Sequence, residues 1–205
     1  MGGVTQDWPD VPTQTISRYP PYAKPWPSCG YTHRAIEAAL ELSARLGPDG
    51  ASGILSARLT MPDAYFGVAG FRAPETEAQA RFSASYCVAA GLVRGAITPR
   101  DFEPQALADP AVRALEALIS PQLYPLPAGA GDMSPLAPDS LHLTLADGQT
   151  LSASVSDVRG GPAKVLSDAE LSAKFIACGG LPEEARAFWE ADASAPFTQF
   201  AGLRP

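Results

Sequence analysis

The fold turns on Leu141-His142-Leu143-Thr144-Leu145-Ala146-Asp147-Gly148-Gln149-Thr150-Leu151-Ser152-Ala153-Ser154-Val155. Leu141, Leu143 and Leu145 alternate with polar residues, and Leu151, Ala153 and Val155 do so again beyond Asp147-Gly148. Alternation of this kind marks strands with one buried face, and two such runs around Asp-Gly form a β-hairpin. The turn sets the register. A two-residue Asp-Gly loop puts Leu145 opposite Thr150 and mixes apolar and polar residues on one face. A three-residue loop, Ala146-Asp147-Gly148, puts Leu143 opposite Leu151 and Leu141 opposite Ala153. It is a type I turn closed by a left-handed glycine, and it is the register expected.

Upstream, Leu55, Ala57, Leu59 and Met61 alternate as a further strand, which Pro62 ends. The stretch from Met61 to Phe71 reads as a glycine-containing loop. A helix is expected from His33 to Leu46, with Ile36, Ala39, Leu40 and Leu46 on its apolar face. Glu37, Glu41 and Arg45 lie away from that face, with Glu41 and Arg45 spaced to pair, and Gly47-Pro48 stops the helix. Thr76-Glu77-Ala78-Gln79 has capping-box spacing and opens a helix expected to continue to Arg94. The second half of that helix, Tyr86 to Val93, is apolar on every side, as in a helix buried at the centre of a domain.

Asp109-Pro110 starts a shorter helix with Val112, Leu115 and Ile119 inward. Pro121 to Pro138 reads as an ordered loop with a short strand around Leu123. Arg159-Gly160-Gly161-Pro162 is a turn that frees backbone N–H groups. Ser167 and Glu170 have capping-box spacing for a helix to Cys178, Gly179-Gly180 break it, and another helix begins at Leu181. The class expected is α+β, a mainly antiparallel sheet flanked by helices. Residues 1–27 form an extended Pro/aromatic arm, 28–178 the domain, and 179–205 a C-terminal helix and tail.

A chain of 205 residues that is 46% hydrophobic and 18% charged suits one globular domain. A net charge of −7 argues against nonspecific nucleic-acid binding, and no apolar run reaches the length of a membrane span. The N-terminus lacks a signal-peptide pattern. Cys29, Cys87 and Cys178 are odd in number and far apart, which suggests neither a disulfide framework nor a zinc site. A cytoplasmic protein is expected.

Chemistry concentrates in Lys24-Pro25-Trp26-Pro27-Ser28-Cys29-Gly30-Tyr31-Thr32-His33. Pro25 and Pro27 push Lys24 and Trp26 into extended backbone, so the lysine sits on a stiff arm. Thr32 reads as the N-cap of the helix that follows, whose free N–H groups and dipole attract anions. A cation beside such a terminus points to a carboxylate site; a proline-rich lead-in with a surface lysine is the plainer reading. His33, in the first helical turn, is expected to be neutral near pH 7. His142 lies on the strand face opposite the leucines and reads as an exposed structural residue. These are the two histidines of the chain, and neither sits in a pattern for a hydrolytic triad.

Lys-Pro-aromatic-Pro-Ser-Cys-x-Tyr-Thr-His before an Ala/Leu helix resembles the opening of the C-terminal domain of the MmgE/PrpD family. Further similar stretches follow in the family's order. They are Ala80-Arg81-Phe82-Ser83 running into Tyr86-Cys87-Val88-Ala89, the Asp109-Pro110-x-Val112 helix start, and Leu166-Ser167-Asp168-x-Glu170-Leu171-x-x-Lys174-Phe175. The resemblance implies an α+β lid and cofactor-independent chemistry on a small di- or tricarboxylate. A proton is abstracted next to a carboxylate, and dehydration, decarboxylation or epimerisation follows.

It also implies site residues. Lys24 would bind a substrate carboxylate and stabilise charge developing on it, with Ser28 and His33 beside it. Cys29 stands where cis-aconitate decarboxylases have histidine, which counts against that reaction here. Tyr65, or Phe66 if the loop shifts by one, falls near a pocket tyrosine of some members; an ordinary aromatic plug is the competing reading. The family's active site lies between this lid and a large helical domain that precedes it and supplies a histidine and an aspartate. Here 23 residues precede Lys24. The expected arrangement is a complex with a separate helical subunit, or failing that a homo-oligomer. A non-catalytic binding module derived from the same domain, and a truncated product, are the alternatives.

Overall fold

The computed structural model of the chain describes residues 22–47 and 49–190. The arm before Tyr22, Pro48, and the tail beyond Glu190 lie outside them, so the readings made there are not taken further. In chain order the described elements are α1 (His33–Leu46), β1 (Ile54–Pro62), α2 (Asp63–Ala69), α3 (Glu77–Arg81), α4 (Ala84–Arg94), α5 (Pro110–Leu118), β2 (Ile119–Tyr124), β3 (Asp139–Leu145), β4 (Thr150–Val155), α6 (Asp168–Ala177) and α7 (Pro182–Glu190). Short helical turns occur at Gly30–Thr32, Gly50–Gly53, Pro99–Phe102 and Pro104–Leu107.

The hairpin has the expected register. Leu143 pairs with Leu151 and Leu141 with Ala153, and Gly148 closes the turn at φ +84°. The fold is α+β, but the sheet is mixed, in the order β2-β1-β3-β4. β1 runs antiparallel to β3 and parallel to β2. The correction has a topological cause. Helices α2 to α5 carry the chain away from β1 and return it in the same direction, as a parallel crossover must. The short strand expected around Leu123 is this returning strand, and it begins two residues before Pro121. Pro121 is tolerated there because β2 is an edge strand.

Ala57, Leu59, Met61, Leu141, Leu143, Ala153 and Val155 form the buried face of the sheet. Leu55 does not join them. The register shifts between Ile54 and Ser56, so Ile54 is buried and Leu55 is 59% exposed. α1 packs across β3 and β4 and against α4. α4 is buried from Ala84 to Leu92, as its all-round apolar character predicts. It crosses α1 closely at Gly91, where a Cβ would lie 3.3 Å from that of Ala39.

Two helical expectations need correction. Met61 to Phe71 is not a loop throughout, because α2 forms directly after Pro62. Asp63 sits in its first turn and accepts the Ala64 N–H at 2.7 Å, so the acidic start outweighs Gly67 within it. The helix opened by Thr76 does not run unbroken to Arg94. It stops at Arg81, and Ser83 caps a new helix. Ser83 Oγ accepts the Tyr86 N–H at 3.1 Å and donates to the Phe71 carbonyl at 2.6 Å. The break lets the chain at Gly70-Phe71 dock by a bridge between Gly70 and Ser83.

Removing this cap gives the first prediction. Ser83→Ala should lower stability by about 1–2 kcal/mol, read as the shift of the urea midpoint at constant slope. An unchanged midpoint would mean that α4 is held by burial alone.

Candidate functional site

The arm is fastened at both ends of its described length. The Ala23 N–H donates to the Gly160 carbonyl at 3.0 Å, and the Cys29 N–H donates to the Arg81 carbonyl at 2.9 Å. The Arg81 guanidinium also donates to the Pro27 carbonyl. Between these points Trp26 is buried and packs edge-on against His33, with ring centroids 5.3 Å apart. Lys24 is exposed, and no carboxylate among the described residues lies within ion-pair distance of it.

Ser28 and Thr32 are buried, and their hydroxyls are 2.8 Å apart. Thr32 occupies the N-cap position of α1, as expected, but its side chain makes no capping bond. It lies in helical backbone (φ −89°, ψ −14°) at the end of the Gly30–Thr32 turn, and its hydroxyl donates to the Cys29 carbonyl at 2.8 Å. That turn runs straight into α1, and the His33 N–H is spent on the Gly30 carbonyl. The open anion-binding terminus read from the sequence is therefore already partly occupied by backbone. Cys29 is a half-buried free thiol. The nearby Cys87 thiol is sealed in the core, and burial pushes its pKa up to about 12.

His33 is 1% exposed, and its Nε2 has no hydrogen-bond partner among the described residues. Burial first, and then the positive charge of Lys24, hold its pKa down at about 4. The imidazole is thus neutral, as expected, although burial is the larger cause. Lys174 on α6 adds to the repulsion. Lys24, Ser28, Cys29 and His33 are thus gathered on one short segment, with a cation outside and an uncharged imidazole inside.

Tyr65 belongs to a buried aromatic stack. It is 2% exposed, stacked on Tyr31 with ring centroids 4.6 Å apart, and its hydroxyl points to the Gly131 carbonyl at 3.4 Å. Phe66, the alternative, is half-buried. Tyr31 itself is held above its usual pKa by burial and then by a hydrogen bond with Asp132. His142 is exposed on the outer face of β3, in register with Arg58 and Ser152.

Beneath these residues lies a pair that sequence reading missed. Arg34 and Asp139 are 1% and 0% exposed, and Arg34 Nη2 is 3.2 Å from Asp139 Oδ1. Arg34 Nη1 also donates to the carbonyls of Ser134 and Ser156, at 3.0 and 3.2 Å. The guanidinium covers the Tyr65 ring at 5.3 Å. The available signal was Asp139, a charge two residues before Leu141 and therefore on the apolar face of the strand.

Such a site can bind an anion at its outer edge, where Lys24 is exposed. Among the described residues no cluster of three or more His, Cys, Asp or Glu is placed to hold a metal ion. No described helix is long and apolar enough to cross a membrane. The sequence profile of the MmgE/PrpD C-terminal domain matches residues 26–195, beginning two residues after Lys24. A search of curated proteins found no match.

The buried imidazole predicts a pH effect. With its folded pKa near 4 against 6.5 unfolded, the unfolded chain binds more protons in that window, so stability falls as pH drops from about 6.5 to 4. The full loss is on the order of 3 kcal/mol. Asp139 works in the opposite sense, because burial raises its carboxyl to about 7. The two are separated by comparing urea midpoints of the natural chain and His33→Gln across this range. The difference between them should change with pH below 6.5 and be constant above it. Parallel profiles would mean that His33 takes up its proton in the folded state.

Proposed function

Because the chain belongs to the MmgE/PrpD family and carries its C-terminal domain, we propose that it is the lid half of a cofactor-independent lyase or isomerase for a small di- or tricarboxylate. The observation that carries this reading is Lys24, an exposed ammonium without a carboxylate partner among the described residues, within electrostatic reach of a neutral imidazole. Lys24 pairs with a substrate carboxylate. It also stabilises the negative charge that grows on that carboxylate when the adjacent C–H gives up its proton. The neutral His33 keeps the inner wall of the site uncharged, so it does not compete with Lys24 for the anion. Ser28 supports the segment from below, Cys29 lines it, and Tyr65 closes its far side.

The proton-abstracting residues come from a helical domain that covers the lid, carried by a separate subunit in the cytoplasm. Val68, Phe71 and Phe82, 46, 48 and 41% exposed, support a covered face. Phe71 and Phe82 are joined by a backbone hydrogen bond of 3.2 Å, and Phe82 follows the residue whose carbonyl holds Cys29. This places apolar surface next to the arm that presents Lys24. A second copy of the chain is the fallback occupant.

The test is calorimetry of the complex purified from its native host, with citrate-like tricarboxylates and then C4 dicarboxylates. Binding of at least one class is expected, and Lys24→Ala should weaken it by roughly 10–100-fold, the worth of one charged hydrogen bond. Equal affinity in the variant would remove Lys24 from the site. No binding by the complex at all would remove the carboxylate reading.

A further inference from the structure

The turn after β4 was expected to present free N–H groups, and it does not. Gly160 N–H donates to the Lys164 carbonyl at 2.7 Å, Gly161 N–H to Val158 at 3.0 Å, and Lys164 N–H to Gly161 at 3.0 Å. With the N–H groups of both glycines spent internally, the turn offers a carbonyl instead, the Gly160 oxygen that accepts from Ala23.

The approach between turn and arm is backbone to backbone. Gly160 has φ +87°, and a Cβ there would lie 1.8 Å from the Ala23 carbonyl oxygen. At Gly161 a Cβ would lie 2.7 Å from the Tyr22 ring. Only glycine permits this contact without displacing the arm.

The same turn is tied to the elements around His33. Lys164 pairs with Glu37, one helical turn beyond His33 on α1, and Arg159 pairs with Glu170 on α6. The arm is thereby referenced to the helix that carries the imidazole. Its other end is held by Arg81 at Pro27 and Cys29, and Pro25 stiffens the span between.

We propose that the Val158–Lys164 turn is the mount for Lys24, with Gly160 and Gly161 as positioning residues that fix the ammonium beside His33. This rests on the reading of Lys24 as the carboxylate-binding cation. Lys24 from the arm and Lys174 from α6 both act on His33, Lys24 the more strongly, so loss of the mount removes the larger of these two repulsions.

The readout is the titration of the His33 imidazole by NMR in the full chain, independent of catalysis, with His33→Gln identifying its signal. Lys24→Ala removes a repelling charge and should raise the His33 midpoint by roughly half a pH unit. Gly160→Ala should do the same. Ala23→Pro removes the arm's N–H donor, while fixing φ at position 23 and restricting Tyr22, and changes no residue of the turn, so it serves if Gly160→Ala does not fold. Either change made on top of Lys24→Ala should add nothing.

The mount is overturned if Ala23→Pro leaves the His33 midpoint unchanged while Lys24→Ala moves it. It is equally overturned if Ala23→Pro moves the midpoint as far without Lys24 as with it. The functional reading fails separately, by absence of carboxylate binding in a complex whose His33 responds as described.

Discussion

A guanidinium and a carboxylate sealed from water set the geometry around the site. Arg34 and Asp139 join the first turn of α1 to the first residue of β3. Removing both charges from water is costly, and their attraction offsets that cost only while both are present. Removing one partner from such a pair typically costs about 3–5 kcal/mol. Neither Asp139 oxygen has a well-aligned hydrogen bond, so the pair is held mainly by charge and by its enclosure. Arg34 also gathers the Ser134 and Ser156 carbonyls from two loops. Four segments therefore take their places around one side chain, and His33 is its immediate neighbour.

This arrangement distributes charge by depth. The deepest cation is paired with Asp139, the imidazole of the adjacent residue is neutral, and the ammonium of Lys24 faces solvent. An anion arriving at the arm meets the Lys24 ammonium, with Lys174 on α6 as a further cation acting on the same imidazole. The stack of Arg34, Tyr65 and Tyr31 then continues toward Asp132. It gives Tyr65 a packing role whatever else it does.

Much of the fold was legible because local signals and tertiary demands agreed. The hairpin register, the burial of α4 and the Ser167 capping box, with the Ser167 N–H donating to Glu170 at 2.9 Å, each follow from spacing alone. The misreadings have a common cause. Ser83 looks like an interior helical residue, and only its bond to the Phe71 carbonyl reveals a cap. Leu55 fits the alternation, and only the shift in pairing with β3 turns it outward. The parallel partner of β1 was hidden because nothing local to Ile119–Tyr124 says which strand it will meet. Within the site, the segment from Lys24 to His33 was conspicuous by composition. Arg34 was not, since an arginine on a helix is ordinarily read as solvent-facing.

The strand order has a consequence for synthesis. β1 lies between β2 and β3, so Leu59 must wait for Pro121 on one side and Leu141 on the other. While the ribosome is still making the helices between them, both edges of an apolar strand are unpaired. Distant pairings of this kind form late, and exposed edges recruit other strands. The hairpin of β3 and β4, closing locally, is the natural template onto which β1 adds. One edge of β1 can be covered once β2 has emerged, and the other stays open until β3 follows.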